Sequence, residues 1–213
     1  MKDMGTPKDI RKKQRYEAIV DAAEKVFFSK GIDNASMDQI AKQAGLGKGT
    51  LYLYFESKNA LYRAILYRAF ATLKKQFEEA LDEENTGFEN MKTILRVYLE
   101  FFYNHPHYFN AILHFQNDLF NLDAMASEQQ IYLAEGVAII ELGAQLIEKG
   151  QQDGSIRNDL KAIEAAYVFW GQTMGVLQLV QKKMAIVTHY HQLEADQLIV
   201  QHFKLIEYVL KGS

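Results

Sequence analysis

Only two prolines interrupt the 213 residues, Pro7 and Pro106, so almost the whole chain is open to long helices. The apolar residues recur with a period near 3.6, and no sustained period-two run flanked by hairpin turns is present. The reading is therefore all-α. Tyr16, Ile19, Val20, Ala23 and Phe27 form one stripe, predicting a helix from about residue 10 to Lys30, with Gly31 in the position of a C-terminal stop. Ser36-Met37-Asp38-Gln39 has the form of a capping box and opens a short second helix ended by Gly45. A third runs from about Gly47 to Phe55, and Ser57 can cap a fourth that carries Leu61, Ile65, Leu66, Phe70, Leu73 and Phe77.

Further helices are expected from about Phe88 to Asn104, from Pro106 onward, and from about Glu128 to Gln151, Asp159 to Lys183 and Leu193 to Lys211. Loops are expected at Asn85-Thr86-Gly87 and near Asn121 to Ser127. The Gly150, Gly154 and Asn158 region is expected to break the long helix. Two domains follow, residues 1–56 and 57–213.

The stretch from Ser36 to Lys58 carries the chemistry. A short capped helix, a tight Ala-Gly-Leu turn and a second short helix make a helix-turn-helix, whose second helix enters the major groove of a DNA duplex. Gly45 serves the turn, and Gly47 and Gly49 permit close approach to phosphate. Lys48 can reach guanine O6 and N7 or a phosphate. Thr50, Tyr52 and Tyr54 carry hydroxyls suited to phosphate oxygens, and Lys58 adds a charge. Leu51 and Phe55 are expected to anchor the helix in the core. Because the Lys48/Tyr52 stripe adjoins the Leu51/Phe55 stripe, spacing alone does not separate the groove-facing side from the buried one.

Charge agrees with a polyanionic partner for the front only. Residues 1–63 hold 12 Lys and Arg against 8 Asp and Glu, while the whole chain has a net charge of -3. Arg11, Lys12, Lys13 and Arg15 form a basic cluster that either adds backbone contacts or is simply solvated.

The same stretch resembles the DNA-binding signature of the TetR/AcrR family of bacterial repressors. The matching residues are Ile40-Ala41, Ala44-Gly45-Leu46, Gly49-Thr50-Leu51-Tyr52, Tyr54-Phe55, Ser57-Lys58 and Leu61. Gly47 departs from the family pattern, where many relatives have a serine or another polar residue. The resemblance implies that Lys48, Gly49 and Tyr52 face bases and that Ser36, Thr50, Tyr54 and Lys58 hold phosphates. It also implies a fold of an N-terminal three-helix helix-turn-helix domain followed by a larger helical domain for ligand binding and dimerisation. The last two helices would pair with their copies in a four-helix bundle, so the partners are an operator duplex, a second copy of the chain and a small-molecule effector. The implied function is a ligand-responsive repressor.

Dimer contacts are expected from Trp170, Met174, Leu177, Phe203 and Ile206. The aromatic-rich segment 98–120 suggests an apolar or aromatic ligand held by Phe102, Tyr103, Phe109, His114, Phe115 and Gln172, with Gln116, Asn117 and Gln178 as further polar candidates. The same aromatics also fit a packed core.

The absence of cysteine removes disulfides, thiol nucleophiles and Cys-based zinc sites, and it fits a reducing cytoplasm. No apolar run approaches the roughly 18 residues of a membrane span, so no membrane partner is expected. The six histidines lack a metal-binding spacing and read as helix-end or surface residues, with His189 and His191 in a loop. Neither a catalytic constellation nor a cofactor motif stands out, so no enzyme activity and no cofactor are expected. The competing reading is a helical ligand carrier or enzyme whose front hairpin is only structural.

Overall fold

The computed structural model describes the backbone of residues 6–116 and 127–211, and side chains in those ranges except 116 and 127–132. Every regular element among the described residues is a helix. They are α1 (Pro7–Lys30), α2 (Met37–Gln43), α3 (Lys48–Tyr52), α4 (Lys58–Ala80), α5 (Gly87–Asn104), α6 (Pro106–Gln116), α7 (Ser127–Asp153), α8 (Ala162–His191) and α9 (Ala195–Lys211). The expected loop near Asn121 to Ser127 lies outside the described residues, apart from Ser127 as the first residue of α7.

By packing, the chain forms two compact units, one ending at Arg68 and one beginning at Ala69. The division falls inside α4, twelve residues beyond 56, because the first turns of α4 belong to the front core. Leu61, Ile65 and Leu66 are buried there with Ile19, Val20, Ala23 and Phe27 of α1. Tyr62 meets Phe27 edge-on with ring centroids 6.4 Å apart. Arg68 ion-pairs with Glu17, Asp21 and Glu24 along one face of α1, reaching Asp21 at 2.7 Å and Glu24 at 3.2 Å. Charge pairs of this half-exposed kind are individually worth under about 1 kcal/mol, and a shared guanidinium makes them a network.

α1 starts earlier than its apolar stripe predicts. Thr6 caps it, the Thr6 and Asp9 side chains closing a capping box ahead of Pro7. Asp9 is held below the usual carboxylate range by its bonds to Thr6.

In the rear unit α5, α7, α8 and α9 pack in succession, and α6 lies against α5. Tyr98 of α5 stands at the centre of an aromatic cluster, with Phe77 at 6.3 Å and Phe109 at 6.5 Å. Phe102 and Phe109 meet edge to face at 4.8 Å. Such geometries suit ring quadrupoles and stabilise by about 0.5–1.5 kcal/mol per pair beyond area burial.

α7 ends within the expected Gly150–Asn158 region, running to Asp153 and stopping at Gly154, whose φ is +78°, so the break falls at Gly154 and not at Gly150. Gly150 instead marks a close crossing. A Cβ on Gly87, the first residue of α5, would lie 2.1 Å from Gly150 N, and one on Gly150 would meet the Ile156 side chain at 2.5 Å. Asp153 Oδ2 accepts the Gly87 N–H at 2.8 Å and Ser155 Oγ accepts the Phe88 N–H at 3.1 Å, so two donors of the α5 start are satisfied from across the crossing. Of the expected loop Asn85-Thr86-Gly87, Gly87 is instead the first helical residue, and Thr86 at the loop's end caps α5 with Glu89. α8 extends to His191, so His189 and His191 occupy its last turn instead of a loop. His202 is buried rather than at the surface or a helix end.

Because the atoms opposing Gly87 are backbone and cannot swing aside, Gly87→Ala should be among the most destabilising single-methyl additions in the rear unit, by about 2–4 kcal/mol. Urea unfolding followed by circular dichroism would check this. Gly154→Ala is the comparison; it meets no atom and should lose only the left-handed backbone penalty of about 1 kcal/mol.

Candidate nucleic-acid interface and ligand cavity

The corner between α2 and α3 is built by a Schellman turn. Gly45 sits at φ +65°, its N–H bonds to Lys42 O at 3.2 Å, and Leu46 N–H reaches back to Ala41 O at 2.9 Å. Upstream, Ser36 and Gln39 form the reciprocal capping box that the spacing predicts, with bonds of 3.2 and 3.3 Å. Both ends of α2 are thereby fixed by local chemistry.

α3 is too short to hold itself, and burial holds it. Leu51 has no solvent exposure and Phe55 retains 4%; Phe55 also packs on the Tyr16 ring of α1 at 4.8 Å. The carbonyl of Leu51 accepts from both Tyr54 and Phe55 N–H at 3.0 Å, so the turn continues through Phe55 although the helix proper ends at Tyr52. The ambiguity of the two adjoining stripes is resolved. Leu51 and Phe55 point inward, while Lys48, Gly49, Thr50 and Tyr52 are exposed.

The candidate contacts fall into three groups. Ser36, Lys48, Gly49, Thr50 and Tyr52 lie exposed on the helix-turn-helix, and Tyr54 is half-buried. Lys48 Nζ is held by Asp38 Oδ1 at 2.7 Å, a bond that raises its pKa above the ordinary lysine value. Lys58 is the exception. Its ammonium donates to Ile32 O at 2.7 Å and Asp33 O at 3.2 Å, so two of its three donors tie the α1–α2 loop to the start of α4. Arg11, Lys12, Lys13 and Arg15 are exposed on the first turns of α1.

The rear unit holds two adjoining apolar cavities. The smaller, of about 60 Å³, is lined from α4, α5, α7 and α8 by residues including Phe77, Met91, Leu95, Gly143, Phe169 and Thr173. The larger, of about 140 Å³, is lined by residues including Phe70, Ile112, Phe115, Gly136, Val137 and Tyr167. Leu73, Tyr98, Ile139, Ile140 and Trp170 belong to both walls.

Of the six residues expected to hold a ligand, Phe115 lines a cavity. Phe102 and Phe109 are spent on core packing, at 7% and 0% exposure, and Tyr103, His114 and Gln172 face outward. Gln178 is exposed as well, while the Gln116 side chain and Asn117 lie outside the described residues. Sequence reasoning missed Gly136, Gly143 and Ala166, the small residues that open the space; glycines within an apolar helix were the available signal.

The expected dimer residues are redistributed likewise. Met174, Leu177 and Ile206 are already buried within their own chain, Trp170 lines both cavities, and Phe203 is half-buried. Their helices already pack within the chain, α8 on α7 and α9 and α9 on α5, and Met174 receives the Tyr98 hydroxyl of α5.

A capped short helix, a left-handed glycine corner and a second helix with an exposed polar face define a helix-turn-helix module of the DNA-binding class. Residues 19–65 match the family model described as bacterial regulatory proteins, tetR family. An HTH-type transcriptional regulator of Staphylococcus aureus (strain bovine RF122 / ET3-1) is 38% identical over 92 residues, covering 43% of this chain and 48% of its own length. The chain thus spans about half the length of the curated relatives it matches. The front of this chain, residues 19–65, is thus similar to the DNA-binding segment of TetR-family regulators.

Solved structures match over nearly the whole length. The transcriptional regulator FadR from Bacillus subtilis, in complex with stearoyl-CoA, superposes with a TM-score of 0.68 at 19% identity, covering 92% of this chain and 99% of its own. AibR, in complex with isovaleryl coenzyme A and operator DNA, gives 0.66 at 18% identity, covering 93% and 100%. At these identities the likeness is one of fold. No helix among the described residues is long and apolar enough to cross a membrane.

The corner makes a paired prediction. Gly45→Ala forces a side chain into the left-handed region and should destabilise the protein by about 1 kcal/mol. Gly47, at φ -69° and ψ 148°, caps α3 without a side-chain bond and has open space beside it, so Gly47→Ser should be neutral or stabilising by a few tenths of a kcal/mol. Thermal unfolding of the two variants side by side reads both signs.

Proposed function

We propose that the protein is a dimeric, ligand-responsive DNA-binding regulator, a repressor that a small molecule releases from a palindromic operator. The observation that carries this reading is the outward face of α3: Lys48, Gly49, Thr50 and Tyr52 are exposed on a helix whose other side is locked by Leu51 and Phe55. Lys48 and Tyr52 would meet base edges, while Ser36, Thr50, Tyr54 and the remaining donor of Lys58 would meet phosphates.

Gly49 supports the same reading from the opposite direction. Within the chain a Cβ there would touch nothing, so the fold does not require the glycine. Close passage of a duplex backbone would. On binding, Lys48 would exchange Asp38 for the DNA, and a good base contact is worth about 1–3 kcal/mol.

One recognition helix per chain grips DNA weakly, and a symmetric pair spaced to two half-sites about 34–36 Å apart is the common remedy. A homodimer is supported by Val168, Leu179 and Ile186 on one outward face of α8 and by Leu205, Tyr208 and Val209 on one face of α9, all exposed in the single chain. The residues of the bundle are thus proposed to be these rather than Met174, Leu177 and Ile206. That the structural neighbours FadR and AibR hold acyl-CoA molecules supports a cavity-binding effector here, coupled to DNA by linkage.

Selection of bound duplexes from a random pool should yield a palindrome-like site. Lys48→Ala should weaken binding to it by about 1–3 kcal/mol, and Gly49→Ala should weaken binding while leaving thermal stability intact or slightly raised. Affinity should fall steeply with salt, since bound phosphates release counterions. A flat salt series, or unchanged binding by both variants, would remove the DNA assignment.

A further inference from the structure

The two cavities differ in chemistry from an ordinary mixed ligand site, and the difference narrows what they take. Their described walls contain no charged side chain. The few polar groups in them are already satisfied. Tyr98 O–H donates to Met174 Sδ, and its oxygen accepts from the Trp170 side chain. Thr173 Oγ donates to Phe169 O at 2.7 Å, which commits its only proton. The 2.9 Å bond between Thr173 Oγ and His202 Nε2 therefore has the imidazole as donor. What remains exposed to a guest is hydrocarbon and a lone pair, with no donor to meet an anion. Burying a carboxylate or ammonium against such a wall leaves it unpaired, which is costly, whereas burying apolar surface is favourable.

Size sets the second limit. A void of about 150 Å³ lined by Leu, Ile and Phe takes a guest of benzene size, and the larger cavity here has about 140 Å³. The smaller, at about 60 Å³, continues from it across the shared wall of Leu73, Tyr98, Ile139, Ile140 and Trp170. Val137 and Tyr167 line the larger one while retaining 43% and 49% exposure, so that lobe opens to the surface between α7 and α8.

We propose that this chamber binds an uncharged, compact hydrocarbon group, one ring or a short branched chain in the larger lobe with a tail of a few carbons in the smaller, and that it rejects charged groups and long acyl chains. The inference rests on the reading of the rear unit as effector-binding and specifies the class of effector moiety. A charged head on a larger effector stays outside the two lobes.

Trp170 is the only tryptophan in the chain and lies in both walls, so its emission reports occupancy directly. Propylbenzene, 3-phenylpropanoate, 3-phenylpropylamine and palmitate would be titrated into the intact protein, with calorimetry in parallel. Propylbenzene should give a saturable change at one molecule per chain. The two charged analogues should bind at least tenfold more weakly, and palmitate should give no saturable change. Val137→Phe, at the exposed mouth, should weaken propylbenzene at least tenfold with the helical circular dichroism spectrum unchanged. Gly143→Val, on the wall of the smaller lobe, should bring propylbenzene down to the affinity of toluene.

Equal or tighter binding of the carboxylate, saturable binding of palmitate, or silence of Trp170 towards propylbenzene would each overturn the proposal. None of these readouts involves DNA. Saturable propylbenzene binding that leaves operator affinity unchanged would uphold the chamber and count against coupling to DNA, while operator binding without any response to propylbenzene would sink the chamber alone.

Discussion

A five-residue helix cannot persist by itself, since forming the first turn of a helix costs more than its few hydrogen bonds return. The burial of Leu51 and Phe55 is therefore what gives α3 a defined orientation, and everything assigned to its outer face depends on it. The two side chains seat the α3 segment in the front core, with α3 against α2 and Phe55 against the Tyr16 ring of α1. The capped α2 and the left-handed corner at Gly45 then determine the direction from which α3 departs. Local turn chemistry supplies the angle and hydrophobic burial supplies the hold.

The front unit was readable because its signals are local. The Ser36–Gln39 box, the Gly45 corner and the Leu51/Phe55 anchor each involve residues within a few positions of one another, and each appears where the spacing places it. What spacing could not supply was partnership at a distance. Lys58 looks like one more cation near the DNA-facing helix, yet its ammonium serves carbonyls 25 and 26 residues upstream. The Thr6 cap of α1 was legible in principle, as Thr-Pro-Lys-Asp carries the box pattern, but it lies ahead of the apolar stripe that set the expected start.

In the rear unit the misplacements have one cause. The expected ligand-holding rings Phe102 and Phe109 pack on each other, while other aromatics, Tyr98 and Trp170 among them, line the cavities. Open volume arises where side chains are small, at Gly136, Gly143 and Ala166, and only the packing of α4, α5, α7 and α8 around them shows it. The same logic moved the expected dimer residues. A helix stripe announces that a face is buried without saying whether the same chain or a second copy covers it. For Met174, Leu177 and Ile206 the covering comes from their own chain.

The clasp of Arg68 on Glu17, Asp21 and Glu24 has a mechanical corollary. It grips α1 over two turns at the point where α4 leaves the front unit, and Lys58 fastens the other end of the same segment to the loop after α1. Pinned at both ends, residues 58–68 have little freedom to slide along α1. Within the front unit, α1, the loop after it and the first turns of α4 are thereby braced into one frame beneath α3.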